Sequence, residues 1–115
     1  MTTVALTSAN FEETVGDGIA LVDFWASWCG PCVRFAPVYE RVSEKHPDIV
    51  FAKVDTEAQE DLAAEFQISS IPTVMAVRDG VIVYAQPGAL PEQALESLIA
   101  KVRELDMDEV RAAAA

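Results

Sequence analysis

Seven consecutive residues, Ile19–Trp25 (IALVDFW), are apolar except for Asp23. A run so short, so apolar and so rich in β-favouring side chains suits a strand covered on both faces. Residues 49–54 (IVFAKV) have the same character. Between the two runs, residues 29–45 are long enough for a helix, which must stop before His46 because Pro47 pushes that residue out of the α region. Two buried strands joined through a helix predict a right-handed parallel crossover, and no other feature of the chain narrows its fold as far.

The remaining segments fit around this unit. Residues 4–6 (VAL) read as a short strand, and Asn10 followed by Glu13 reads as a capping box opening a first helix over residues 10–15. Thr56 with Gln59 gives a second cap signal, for a helix running through EAQEDLAAEF. Residues 73–78 and 81–86 are β-rich and are separated by Asp79-Gly80, the signature of a two-residue hairpin, so they pair antiparallel. Leu95, Leu98, Ile99 and Val102 then recur at helical spacing. The expectation is an α/β fold, a central five-stranded mixed β-sheet flanked by four α-helices. Residues 1–105 form its one domain, and residues 106–115 are a tail that either extends the last helix or frays.

At 115 residues and 51% hydrophobic composition the chain can build a core without covalent staples, so its two cysteines are not needed as supports. Eight basic against nineteen acidic residues give a formal net charge of -11, which repels nucleic acid and anionic membrane surfaces. The sequence MTTVALTSANF has neither the basic nor the apolar region of an export signal, and no stretch approaches the ~20 apolar residues of a membrane span, so a cytoplasmic protein is expected. In that compartment thiols stay reduced, and a close cysteine pair reads as redox-active or metal-binding.

Cys29 and Cys32 stand three residues apart at the predicted helix start. Positions i and i+3 of a helix have Cα atoms about 5 Å apart, inside the ~4.4–6.8 Å that a disulfide accepts, so closure and opening need little backbone movement. Unsatisfied N–H groups and the positive end of the helix dipole favour a thiolate there, most of all on the outer Cys29. Pro31 suits the first turn because it has no N–H to lose, and Gly30 leaves the approach to sulfur uncrowded. A zinc site would need about four protein ligands, and the single histidine, His46, lies at the far helix end, so no metal is expected. Asp23, in its apolar strand, is a carboxylate whose pKa burial should raise toward neutrality.

The motifs LVDFWASWCGPC, AKVD, IPT, DG and PGAL, in this order, resemble the thioredoxin family over residues 6–102. WCGPC is a specific signature where a bare CxxC would be weak. The resemblance implies a protein disulfide reductase: Cys29 attacks a client disulfide, and Cys32 resolves the mixed disulfide, leaving a reversible Cys29–Cys32 bridge. It gives Asp23 the task of deprotonating Cys32 and Lys53 the modulation of that aspartate, while Gly30 and Pro31 tune the dithiol. It implies a cis-proline loop at Ile71-Pro72 and a client surface completed by Trp28, Gly88 and Ala89. Thioredoxin reductase is the implied partner, with NADPH supplying electrons indirectly and no cofactor bound, and a monomer is expected. An ordinary thiol of pKa ~8.5 is only ~3% thiolate at pH 7; lowering the pKa by about one to one and a half units, a size known for thioredoxins themselves and not obtained from this chain, raises that to about a quarter or a half.

Val33 and Ser70 stand where many relatives have lysine and glycine, and Pro87 before Gly88 is unusual, which bears on partner choice. Two other functions compete with the reductase. A disulfide oxidase or isomerase is disfavoured by Gly-Pro between the cysteines and by the lack of an export signal. A thioredoxin-like binding module without electron transfer is disfavoured by the presence of both cysteines.

Overall fold

The computed structural model describes residues 3–114. Its central sheet takes strands β1 (Thr3–Ala5), β2 (Ile19–Trp25), β3 (Val50–Asp55), β4 (Thr73–Arg78) and β5 (Val81–Pro87) in the order β1-β3-β2-β4-β5. β3 pairs parallel with both β1 and β2, while β4 pairs antiparallel with β2 and β5. The apolar run Ile19–Trp25 is thus the middle strand, buried on both faces. Asp79 and Gly80 form the β4–β5 turn with φ of 51° and 80°, the left-handed conformations that a two-residue hairpin demands.

Helices α1 (Phe11–Val15), α2 (Gly30–Lys45), α3 (Glu60–Glu65), α4 (Glu92–Glu104) and α5 (Met107–Ala114) complete the fold. Alternation along the strands divides the core in two. Val22, Phe24, Ala52 and Val54 face Phe11, Val15 and Leu62 of α1 and α3. Leu21, Phe51 and Val74 face Phe35, Tyr39 and Val42 of α2 and Leu95, Ile99 and Val102 of α4. Asp23 lies two residues beyond Leu21 and so belongs to the face that α2 covers.

Two expectations are corrected. The described residues contain five helices rather than four: the chain turns at Leu105, with ψ of 137°, and begins α5 at Met107, which is buried. Arg78 explains the break, because its Nη1 donates to the carbonyls of Val102 (2.8 Å), Arg103 (3.3 Å) and Leu105 (2.7 Å), groups left over when α4 ends. Residues 1–2 and 115, the outer ends of the expected domain and tail, lie outside the described residues. The two cap signals also act differently. Asn10 Oδ1 accepts from the Thr7 N–H at 2.7 Å instead of capping α1, and the Thr56 hydroxyl donates to the Trp25 carbonyl. Asp55 Oδ1 holds the N–H groups of Glu57 and Ala58 in a turn, which delays α3 to Glu60.

Candidate active site

The chain leaves β2 at Trp25 and enters α2 at Gly30, so four residues carry it from the middle of the sheet to a helix N-terminus. Cys29 is the N-cap of α2, with φ −88° and ψ 109°, and Pro31 lies in the first turn. The Cys29 Sγ takes the place that serine or aspartate oxygen usually holds at a cap, accepting from the Cys32 N–H at 3.2 Å. Cys29 and Cys32 are joined as a disulfide with Cα atoms 5.2 Å apart, matching the separation expected from helical spacing. Cys32 heads the buried stripe of α2 that continues through Phe35, Tyr39 and Val42.

Both cysteines are nearly covered, Cys29 at 5% exposure and Cys32 at 2%, and they pack with Ala26, Trp25 and Ile71. Cys29 Sγ lies 3.8 Å from the Ile71 carbonyl oxygen. The Ile71-Pro72 peptide is cis, as the motif implied, and no backbone hydrogen bond among the described residues uses the Ile71 N–H. The Gly88 N–H donates to the Pro72 carbonyl at 2.8 Å, which brings the end of β5 beside this loop. Gly88 has φ of +120°, a conformation that a residue with a Cβ adopts only under strain. Ala89 and Pro31 face one another across a groove beside the helix start. Trp28, 69% exposed, stands on the other flank with its Nε1 donating to Glu57 Oε1 at 3.0 Å.

Asp23 is fully buried, and neither of its carboxylate oxygens has a hydrogen-bond partner among the described residues. Burial penalises the charged form and pushes its pKa from 3.8 up to about 7, against the Lys53 charge, which pulls it down. Asp23 and Lys53 are register partners across the parallel β2–β3 pair, so both side chains emerge on the face beneath α2. Lys53 Nζ sits 4.7 Å from the centre of the Trp25 ring. The structure therefore brings every residue of the predicted site to one end of the sheet, around the N-terminus of α2 and the ends of β2, β3 and β5. Two contributors are not evident from sequence. Trp25 reads there as a core residue only, yet it packs on the cysteines and carries Lys53; Glu57 gives no local signal, since only the fold brings it to the motif.

A cysteine pair at disulfide separation, held at the N-terminus of a helix that covers the sheet face carrying a buried carboxyl pushed up to about 7, is equipped for thiol–disulfide exchange. Comparison with known proteins agrees. The thioredoxin family model matches residues 2–101. A Streptomyces coelicolor protein named "Putative thioredoxin 2" is 62% identical over 114 residues, covering 98% of this chain and 85% of that protein. The thioredoxin of Bacillus subtilis is 35% identical over 102 residues, covering 88% and 98%. The solved structure of a mutant thioredoxin from Halobacterium salinarum superposes with a TM-score of 0.83 at 30% identity, covering 90% of this chain and 93% of that one. With the fold, the dithiol and the kinship in agreement, the chain belongs to the thioredoxin family, and its activity is that of a dithiol–disulfide oxidoreductase that reduces protein disulfides.

Proposed function

We propose that Cys29 is the attacking thiol and Cys32 the resolving one, with Asp23 as the base that serves Cys32. The single observation that carries this assignment is the position of the Cys29 sulfur at the N-cap, where a thiolate would receive the Cys32 N–H, while Cys32 lies one turn further on, on the buried stripe of α2. In the reduced protein the Cys29 thiolate attacks one client sulfur; a mixed disulfide forms and the first client thiolate leaves. Asp23 takes the Cys32 proton, through water, and the Cys32 thiolate attacks the Cys29 sulfur, expelling the second client thiolate. The client gains two electrons and two protons, and the protein is left with the Cys29–Cys32 bridge.

Lys53 holds Asp23 close to neutrality, where it can both accept and return a proton. Gly30 and Pro31 tune the dithiol by keeping the first turn open and helical. The free N–H of Ile71, beside Pro72, supports pairing with an extended client segment, and Trp28, Gly88 and Ala89 border the sulfur with apolar surface. The cycle closes through a thioredoxin reductase, with NADPH as the ultimate electron source and nothing but the disulfide carried on this chain. We place the protein in the cytoplasm, as a monomer with residues 1–105 as its working domain; no helix among the described residues is long and apolar enough to cross a membrane.

The test is reduction of insulin disulfides driven by NADPH and a bacterial thioredoxin reductase, alongside a Cys32→Ser variant. Turnover by the wild type and accumulation of covalent client adducts on the variant are expected. A wild type that turns over no disulfide, or a Cys32→Ser protein that captures none, overturns the assignment.

A further inference from the structure

A groove of about 250 Å³ runs along the α2 side of the dithiol, lined by Pro31, Phe35, Val38, Ala89, Leu90 and Pro91 together with Arg34. Its volume falls below the ~300–1,000 Å³ of sites for drug-sized molecules, so it suits a side chain of a docked peptide. Pro31 lies between the two cysteines, which makes the groove continuous with the surface a client must cover.

Arg34 gives this groove a charged rim. Its guanidinium folds back along α2 over the motif: Nη1 lies 3.2 Å and Cζ 3.9 Å from the point where a side chain on Gly30 would begin. Among the described residues, Arg41, Lys45, Arg103 and Arg111 are held in ion pairs, Arg78 binds backbone carbonyls and Lys53 lies over Trp25. Among the same residues Arg34 and Lys101 have no such partner, and of these two only Arg34 borders the dithiol. On a chain of net charge -11 an unpaired guanidinium beside the reacting sulfurs is a local reversal of sign. The opposite flank carries Glu57 on Trp28, so the two sides of the site differ in charge.

We infer that Arg34 is a specificity determinant, which favours client segments that combine an apolar side chain, seated in this groove, with a carboxylate that reaches the guanidinium. This rests on the disulfide-reductase reading above and concerns only which clients are taken. Arginine suits the task because its planar fork can meet both oxygens of a carboxylate and keeps its charge at every relevant pH. Val33, 55% exposed on the same helix turn, leaves Arg34 as the cation nearest the motif on α2.

The experiment measures kcat/KM for mixed-disulfide peptides that carry one leucine and either glutamate or lysine, the charge placed in turn at each of four positions on either side of the cysteine. Every value is divided by the same protein's rate on a neutral small disulfide, so altered thiol chemistry cancels and failure of the reductase reading appears separately, as no reduction of that neutral compound. At one position or more, the glutamate-to-lysine ratio should fall by about fivefold from wild type to Arg34→Glu at low salt, the size expected of one exposed ion pair. It should change less in Arg34→Gln, and the difference should shrink in high salt. Replacing the leucine by serine should lower the preference. A ratio that is the same in wild type and Arg34→Glu at every position, with the neutral disulfide still reduced, overturns the inference.

Discussion

Asp23 makes the folded protein less stable than it would be with a neutral side chain, and the cost depends on pH in a way that can be measured. Folding raises its pKa from 3.8 to about 7, because the carboxylate is taken out of water without a hydrogen-bond partner. Between these two values the unfolded chain has lost the proton and the folded chain retains it. Stability therefore falls as pH rises from about 4 to about 7 and is level beyond, where both states are ionised. At ~1.36 kcal/mol per pH unit, the full interval amounts to about 4 kcal/mol, a large part of the ~5–15 kcal/mol that a domain possesses. Asp23→Asn imitates the protonated acid in size and polarity but cannot ionise. Urea unfolding of the oxidised proteins, followed by tryptophan fluorescence from pH 4 to 9, should give curves that separate by up to about 1.4 kcal/mol per pH unit below pH 7 and run parallel above it, with the variant the more stable. Contributions common to both proteins cancel in the difference. A difference that stays constant across the whole range would refute the claim that this carboxyl is held protonated by burial.

Other perturbations follow from the same packing. Lys53→Met removes the charge that lowers the Asp23 pKa, so the pH midpoint for release of the second client thiol should move above about 7 and release at pH 7 should slow; stopped-flow decay of the mixed disulfide would record it. Tyr39→Phe leaves the Ala52 carbonyl, which accepts from the buried Tyr39 hydroxyl at 2.8 Å, without that donor and should cost about 1–2 kcal/mol in chemical unfolding, with insulin reduction retained. Arg78→Leu strips the donor from the carbonyls at the end of α4 and should cost about 1.5–3 kcal/mol, with amide exchange accelerated most in α5.

The strands were the most legible part of this chain, because each is short, apolar and bounded by turn residues. β2 and β4 fall on the residues expected, and β3 is displaced by a single position. Asp79-Gly80 encoded its turn locally, since few other pairs tolerate two positive φ angles in succession. Helix beginnings read less well. Asn10, Asp55 and Thr56 carry the right side chains for capping, but their oxygens and hydroxyls bind other parts of the backbone, a competition that sequence spacing does not reveal. The end of α4 depends on Arg78, more than twenty residues earlier in the chain and on the adjacent sheet, so no local pattern announces α5. At the site, the dithiol and the buried carboxyl were visible because both are chemically out of place in their segments. Glu57 on Trp28 and Arg34 over Gly30 were invisible for the opposite reason: each is an ordinary surface charge until the fold sets it beside the motif.

The redox equilibrium of Cys29 and Cys32 against defined ratios of reduced and oxidised glutathione bears most directly on the account, since it asks whether the pair gives electrons away. A reductant should surrender its electrons readily, so the disulfide should dominate until reduced glutathione is in overwhelming excess. A pair that stays reduced in predominantly oxidised glutathione would be an electron acceptor, and the protein would be an oxidant of its clients rather than their reductant.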